Sequence, residues 1–598
     1  MLMKRTFTLF IPFWLLTGLS GKTIAQSSNQ QELLSQSSET AGIMINYRQD
    51  IEAIKRYYSP YRTENEFGYD DGVQKSPEQL KRLVEINQAY QEKLDKKDFN
   101  TVSIYGKVDA ILLKRDIKME LQKLSAEEKE YAQITGYIPF ADKIYSLEKG
   151  RRRGVSVDGQ QIAGLYTALI KEIDATGIKL DKQSQMDIKL AQRLKKSIEG
   201  LNLRLKNIYN FYNGYDPLFT WWVVEPEKAL SARLDQYAVA AMKRGQLKTT
   251  QKPDSSGIVG TPIGREEFIR QLQGEMIPYT PEELLDIANK EFAWCDNEML
   301  KASKEMGFGT DWKKALEKVK NSYVPAGKQP EMILDLFNRS VDFVKSRDMI
   351  TIPPLAEETW GMIMMSPQRQ LVNPFFTGGQ EISISYPTNT MGHNDKLMSM
   401  RGNNPYFSLG TVQHELLPGH NLQYFMNSRS KAYRADFSTP FWTEGWSLYW
   451  EMLLYDKGFA VKPEEKVGML FWRMHRCARI IFSANYHLGK WTPQQCIDFL
   501  VDRVGHERAN AEGEVRRSFT GGYGPLYQIA YLIGGLQFYA LEREMVEGGK
   551  MSLKEYHDKV MQENNIPVEM VRAILTNQDV SLNYQTNWRF YNQHPSGK

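Results

Sequence analysis

Cysteine is scarce: 598 residues contain three thiols, Cys295, Cys477 and Cys496, and no CxxC pair. The three read as small buried hydrophobes. In an oxidising compartment Cys477 and Cys496, the nearest in sequence, are the candidates for a single bridge. An excess of one charge is also missing. Lys+Arg 76 against Asp+Glu 72 gives +4, which provides neither a basic face for nucleic acid nor a polyacidic tail. Gly and Pro stand at ordinary levels, 43 and 25, so collagen-like and linker-dominated chains are excluded. No GxSxG elbow, Cys/His pairing, Walker A loop or dinucleotide fingerprint stands out, which leaves serine hydrolase, cysteine hydrolase and nucleotide-binding readings without support.

Long apolar runs are absent after the N-terminus. The one such run, Phe7 to Leu19, follows Lys4 and Arg5 and leads to Thr23-Ile24-Ala25, a small-x-small cleavage site before Gln26. It is broken by Pro12 and Gly18 and falls short of the roughly 20 apolar residues of a membrane span. Residues 1–25 are therefore expected to be a signal peptide, with export to the periplasm or beyond and no stable membrane insertion of the mature chain. No Cys follows the run, so a lipid-modified N-terminus is not supported. Removing Lys4, Arg5 and Lys22 lowers the net charge to +1.

What is present is ordinary globular material, 41% apolar and 25% charged, with 31 Tyr and 12 Trp. Residues 26–40 are polar and Ser/Gln-rich. Helical periodicity follows over most of the chain, with starts at Ser76-Pro77-Glu78 and Thr280-Pro281-Glu282-Glu283. The segment Leu247–Gly264 reads as a surface loop or hinge. It divides a helical N-terminal region, 41–263, from a second region, 264–598. Between about 350 and 390 the texture changes. An apolar run at Thr359–Met365 is followed by the alternating Glu381-Ile382-Ser383-Ile384-Ser385, which predicts a short strand and a small sheet. The fold class is mainly α with this small β-sheet beside the candidate site.

Histidine is rare, eight in the chain, yet two fall in one heptapeptide, His414-Glu415-Leu416-Leu417-Pro418-Gly419-His420. Zinc peptidases commonly carry HExxH, two His at i and i+4 on one helix face with Glu as general base. Here the spacing is i+6, and two extra residues turn the second His about 200° away and about 3 Å along an ideal helix. An unbroken helix makes no site. Pro418 breaks it by withholding a donor from the carbonyl of His414, and Gly419 opens backbone angles closed to other residues, so His420 can return to His414. A helix ending at an ordinary Pro-Gly turn, with two unrelated His residues, remains open at this point.

A third ligand is available downstream. Phe441-Trp442-Thr443-Glu444-Gly445-Trp446-Ser447-Leu448-Tyr449-Trp450-Glu451 begins a helix in which Glu444 is set among aromatics, where an unpartnered carboxylate is costly. Glu451, two turns on along the same face, is a candidate partner for a ligating His or a plain surface acid.

HELLPGH followed by TEGWSLYWE resembles the bacterial domain of unknown function 885, with its HExxPGH and EGWxLY pairs. The likeness extends upstream to Gly264–Phe268 and Tyr279–Leu284. Downstream it takes in Trp472-Arg473, Arg479, His487 and Tyr531–Gly534, so that it covers roughly the mature chain. The resemblance implies a zincin-like, mostly helical metallopeptidase architecture with a deep cleft. It implies one Zn2+ held by His414, His420 and Glu444, with Glu415 as general base. HELLPGH is also similar to the lengthened HELLGH motif of dipeptidyl peptidase III. The sequence departs from the family at Ser483-Ala484-Asn485-Tyr486-His487 and Pro525-Leu526-Tyr527-Gln528, outside the expected metal ligands.

By the same resemblance, His487 and Tyr531 are expected as oxyanion or substrate donors. Tyr527, one turn before Tyr531, and Tyr523, in a Gly-rich turn, are expected substrate contacts. For Tyr527, Tyr531 and His487 alike, a place in the core is the competing reading. The expected function is an exported zinc-dependent hydrolase cleaving peptides. A non-catalytic peptide-binding protein on the same scaffold, and a zinc hydrolase of another amide or ester, stay open. So do Mn or Co in place of zinc, exo- against endo-cleavage, and the oligomeric state.

Overall fold

The computed structural model describes residues 36–59, 73–182, 185–246, 254–372 and 375–593. The expected signal peptide, residues 26–35 and residues 247–253 of the expected hinge lie outside them.

The described chain is mainly helical. Its long helices include α1 (Ala41–Tyr58), α2 (Pro77–Asp95), α3 (Ile104–Ala132), α4 (Ala141–Arg152), α5 (Gly159–Asp181), α6 (Ile188–Tyr212) and α7 (Pro217–Lys243). After residue 264 come α8 (Pro281–Glu305) and α9 (Gln329–Ser346), then strands β1 (Gly361–Met364) and β2 (Glu381–Ile384). Helices α10 (Pro405–Glu415), α11 (His420–Asn427), α12 (Pro440–Asp456), α13 (Pro463–His487), α14 (Arg508–Thr520) and α15 (Tyr527–Glu542) follow. Shorter helical segments connect and complete these. The starts expected from sequence use their own side chains. The Ser76 hydroxyl accepts from the Gln79 amide, and Thr280 forms a reciprocal capping box with Glu283, each satisfying donors that the first helical turn leaves open. No described helix is long and apolar enough to cross a membrane.

Two large hydrophobic cores are present. One gathers Met44 to Ile117 together with Ile258 to Tyr591, and the other spans Tyr131 to Ala241. Helix α3 runs between them, with Val108–Ile117 in the first and Tyr131 in the second. The cores thus cut the chain near residues 131 and 241, and helices α1–α3 of the 41–263 region share a core with the 264–598 region. Arg434, fully buried, pins this arrangement by donating to Asp109 on α3 (2.7 Å) and to Glu563 (2.6 Å). All three cysteines are free and buried. Cys477 has Cys295 as a hydrogen-bonding neighbour, and the Cys496 thiol faces the Phe482 carbonyl at 3.7 Å.

The small sheet is parallel, with Gly361 opposite Glu381 and Met364 opposite Ile384. On its other side, Ser383 exchanges both backbone hydrogen bonds with Thr377, at 3.1 and 2.8 Å. The sheet then runs back into Gly378, which lies against the end of α10. A Cβ on Gly378 would come within 2.4–2.8 Å of the carboxylate, carbonyl and Cα of Glu415, so only glycine permits this approach. The Asn421 amide secures the same loop by donating to the carbonyls of Gly379 (3.3 Å) and Gln380 (3.0 Å).

Helices α12 and α15 cross at glycine. A Cβ on Gly534 would meet the Phe441 carbonyl oxygen at 1.9 Å, and one on Gly445 would meet the Gly534 backbone at 2.6 Å. This close crossing sets Glu444, next to Gly445, beside Tyr531, one turn before Gly534. Trp442, Trp446, Tyr449 and Trp450 fill the rest of the α12 surface and are fully buried. The aromatic run in the sequence is therefore core, and Glu444 is the acid held inside it.

Candidate metal centre

Asn404 caps α10 by accepting from the amides of Tyr406 and Phe407. The helix ends at Glu415, where Leu416 turns to φ −107°, ψ −125°. The Leu417–Pro418 peptide is cis, and α11 begins at His420. Three hydrogen bonds hold the break: Gly419 N–H to the Gln413 carbonyl (3.1 Å), Trp446 Nε1–H to the Pro418 carbonyl (2.9 Å) and the Ser340 hydroxyl to the Leu417 carbonyl (3.2 Å). Each satisfies a group that a broken, buried helix would otherwise leave open. The imidazoles of His414 and His420 consequently face one another, with ring centroids 4.8 Å apart and planes at 88°.

The outer nitrogens fix the tautomers. His414 Nδ1 lies 2.6 Å from Glu451 Oε1, and His420 Nδ1 lies 3.4 Å from Gln423 Oε1. Gln423 is itself oriented by donating to the Thr443 carbonyl (2.8 Å) and the Ser447 hydroxyl (3.2 Å). With Nδ1–H spent outward, each neutral imidazole turns its Nε2 lone pair inward. Both Nε2 atoms lie close to one oxygen: Glu444 Oε2 is 3.4 Å from His414 Nε2 and 3.3 Å from His420 Nε2. That oxygen is sealed from solvent and makes no well-formed hydrogen bond. Glu415 completes the cluster, with ligand atoms of His414, Glu415 and His420 all within 4.8 Å of one another.

Three inward lone pairs around one buried point repel unless a cation joins them. Two imidazoles and a carboxylate are the donor set of many zinc hydrolases, so these residues fit a divalent metal. Lacking one, the cluster must bind protons. Burial works against a charged His414, but Glu444 and Glu451 outweigh it and push His414 up to about 9. Burial would raise Glu444, and the two imidazoles hold it well below the ordinary carboxylate range. Burial raises Glu415, against the pull of His414 and His420, as suits a group that takes up a proton.

A pH dependence follows from His414. Its pKa is higher in the folded chain than the 6.5 of a free imidazole, so its stabilising contribution is complete below pH 6.5 and is lost as pH rises through about 9. Thermal unfolding of chelator-treated protein should therefore show stability falling between pH 6.5 and 9. Zinc added near pH 7 should release about one proton per ion.

Around the cluster, Arg476 donates to Glu451 at 3.3 Å, and burial of Glu451 is outweighed by Arg476 and His414, which lower its pKa. Glu451 is thus a buried partner of His414 and not a surface acid. Tyr531 stacks nearly parallel to His414, 6.2 Å away at 14°. Its ring is flanked by the guanidinium groups of Arg479 (4.3 Å) and Arg476 (4.6 Å). The Tyr527 hydroxyl donates to Glu444 Oε1, and Tyr523 stacks on Tyr527 at 4.3 Å.

Seven of the eight residues expected from sequence are therefore gathered in one place. His487 is the exception. It lies eight residues beyond Arg479 on α13, about 12 Å along the axis, among Phe268, Tyr486 and Phe519. Burial lowers its pKa to about 4. Its position is the one that the competing core reading describes. The strand expected to align substrate at Ile382–Ser385 is also engaged on both sides, by β1 and by Thr377.

Sequence reasoning missed Gln423, Arg476 and Tyr424. Gln423 stands one turn after His420, a spacing that could have exposed it. Arg476 announces itself only through Glu451, on another helix. Tyr424, 48% exposed, comes next on α11, and a Cβ on Gly379 would lie 3.8 Å from its ring.

Two solved structures share the fold. One is a putative lipoprotein of unknown function from Shewanella oneidensis, with TM-score 0.59 and 16% identity, matching 90% of this chain and 99% of that one. The other, from Colwellia psychrerythraea and described likewise as a lipoprotein, has TM-score 0.55 and 15% identity over 90% and 98%. No curated protein matches the chain in sequence. The family described as bacterial protein of unknown function, DUF885, matches residues 36–575, a span that contains the Tyr131–Ala241 core, all of the other core except its last residues (Val580 to Tyr591), and every residue of the cluster. The chain belongs to the DUF885 family.

Proposed function

We propose that the protein is an exported zinc-dependent hydrolase that cleaves peptide bonds. The observation that carries this reading is the convergence of His414 Nε2, His420 Nε2 and Glu444 Oε2, within 3.4 Å, with the Glu415 carboxylate beside them. His414, His420 and Glu444 would hold the ion. When bound, zinc supplies Lewis-acid activation of water and of the scissile carbonyl. Glu415, raised by burial, accepts the proton of the attacking water and passes it to the leaving amine nitrogen. Tyr531, stacked on His414, donates its hydroxyl to the carbonyl oxygen as negative charge develops there. Tyr527 fixes the Glu444 carboxylate through its second oxygen.

The backbone at Thr377–Gly379 runs past Glu415 at the open side of the small sheet. It is the segment of that sheet best placed to pair with an extended peptide, in place of β2 itself. Export is supported by the basic start, apolar run and small-residue site of residues 1–25, and by the lipoprotein descriptions of both fold neighbours.

Glu415→Gln tests the reading. The substitution is isosteric and leaves the three ligands in place, so zinc content should stay near one per chain. Turnover of a sensitive peptide substrate should fall about 10²–10⁴-fold, the usual worth of a positioned general base. Undiminished turnover with zinc retained would overturn the assignment.

A further inference from the structure

Outside the core unit that holds the candidate metal centre, one end of the other unit carries a gathered apolar exposure. The α4–α5 connection, 153–158, meets the α6–α7 turn, 213–216, at this end. Tyr215 is 86%, Trp221 81% and Leu218 68% accessible, with Val155, Phe211 and Trp222 exposed beside them. The two connections are in contact. The Tyr212 hydroxyl donates to the Val155 carbonyl at 2.5 Å. A Cβ on Gly154 would lie 4.0 Å from the Phe211 ring, and one on Gly159 would meet the Leu218 carbonyl oxygen at 2.7 Å. Six apolar side chains thus share one projecting tip. Single exposed apolar residues need no partner, but a gathered patch marks a contact surface. Aromatic side chains offer about 150–250 Å² each, so at these exposures the four rings alone leave roughly 400–600 Å² to water.

The charges beside the tip favour an anionic partner. The basic run Arg151-Arg152-Arg153 closes α4 at this end. Arg152 pairs with buried Glu148 at 2.8 Å, and the Arg151 guanidinium lies 5.8 Å from the Phe211 ring centroid. Arg153 is exposed, with its guanidinium 5.3 Å from the Tyr57 ring, and makes no ion pair among the described residues. The acids at the tip are Asp158 and Asp216. Both are committed to capping, Asp158 on the Gln161 amide and Asp216 on those of Leu218 and Phe219. Exposed Glu225 stands one helical turn behind Trp221, about 6 Å further from the tip.

The turn also satisfies its own backbone. Every amide from Asn213 to Thr220 has an acceptor within the turn and its flanking helices, and Pro217 has no N–H to place. The Gly214 amide donates to the Thr220 hydroxyl at 2.8 Å, and the Asp216 carboxylate accepts from Leu218 and Phe219 at 3.0 Å each. A segment entering lipid needs such closure, because hydrocarbon offers an amide no partner. A turn facing water does not.

We infer that this tip docks the protein on the surface of an anionic lipid bilayer. Tyr215, Trp221 and Trp222 sit at headgroup level, where amphipathic rings are favoured. Leu218 reaches the acyl boundary, and Arg153 faces lipid phosphate. A second copy fits less well, since a twofold pairing of two such tips would set the same cations against each other. The inference goes beyond the hydrolase reading and does not depend on it, because neither zinc nor turnover enters it.

The test uses the mature full-length protein and vesicles of phosphatidylcholine alone or of equal parts phosphatidylcholine and phosphatidylglycerol. Co-sedimentation at low salt should show the mixed vesicles bound about fivefold more tightly or better, an advantage that high salt shrinks. Leu218→Ser combined with Trp221→Ser should weaken binding to mixed vesicles about tenfold or more, and Arg153→Gln about fivefold, with unfolding midpoints near the parent's. No binding to mixed vesicles overturns the inference, as does equal binding of both vesicle types, or binding that survives the double substitution. Self-association that the double substitution abolishes, without vesicle binding, would assign the tip to a second copy and equally overturn it. If the double variant does not fold, brominated acyl chains decide with the parent protein. Fluorescence quenched by mixed vesicles supports docking through Trp221 and Trp222, the exposed tryptophans among the described residues, and unquenched fluorescence refutes it.

Discussion

Glu444→Gln should weaken zinc binding by about 100-fold or more and abolish hydrolysis, while the chain stays folded. Protein zinc sites with full ligand sets are worth on the order of 10 kcal/mol, and losing one of three ligands removes about a third of that, or about 200–300-fold in affinity. The amide keeps the volume of the carboxylate, so the packing around this buried position is preserved. One of its two hydrogen-bonding ends can still serve the Tyr527 hydroxyl, which donates to Glu444 Oε1. The inward end can no longer offer an anion to His414 and His420, and the attraction that pushes His414 up to about 9 is lost. In the metal-free protein the substitution should therefore flatten the decline in stability between pH 6.5 and 9. Competition titration with a zinc chelator and unfolding at several pH values read both effects. Wild-type zinc affinity in this variant would remove Glu444 from the ligand set.

Gly419→Ala should cost both stability and metal. A Cβ there would sit 2.0 Å from the His414 carbonyl oxygen and 2.5 Å from that of Gln413, and both are backbone atoms that cannot swing aside. Overpacking of this kind costs about 1–3 kcal/mol where the surroundings can relax. Here relief requires moving the residue that precedes His420, so the imidazole leaves the point it shares with His414 and Glu444. Zinc affinity should fall together with the unfolding midpoint, and excess zinc should recover part of the lost stability by mass action. A Gly419→Ala protein of wild-type stability and zinc content would mean that the helix break is not held by this close backbone approach.

Much of this centre was readable from the chain. The spacing of His414 and His420 made a regular helix useless, and Pro418 with Gly419 supplied the break that makes the spacing work. The aromatic setting of Glu444 marked it as a buried acid, and the Ser76 and Thr280 caps and the 381–384 strand follow from local chemistry. What the chain could not show is set by tertiary packing. Nothing local tells that Gly445 and Gly534 lie back to back, or that this crossing puts Tyr527 on Glu444. Arg479 and Glu514 pair from different helices, so their ion pair is invisible in either segment. For His487 the resemblance offered a role, while the ring's packing against Phe268 and Phe519 is a tertiary contact that no local pattern announces. The loop near 247–264 stands out by composition alone, and the sharing of one core by α1–α3 and the helices of the candidate cluster is equally invisible in local sequence.

X-ray absorption at the zinc edge of the purified, zinc-loaded protein, with metal content measured on the same sample, tests the central claim most directly. The account predicts one zinc per chain, bound by two imidazole nitrogens and carboxylate oxygen at about 2.0–2.2 Å, and in His414→Ala and in His420→Ala either one imidazole fewer or no bound zinc. A protein that retains no zinc, or whose zinc shows the same imidazole ligands in both variants, would contradict it.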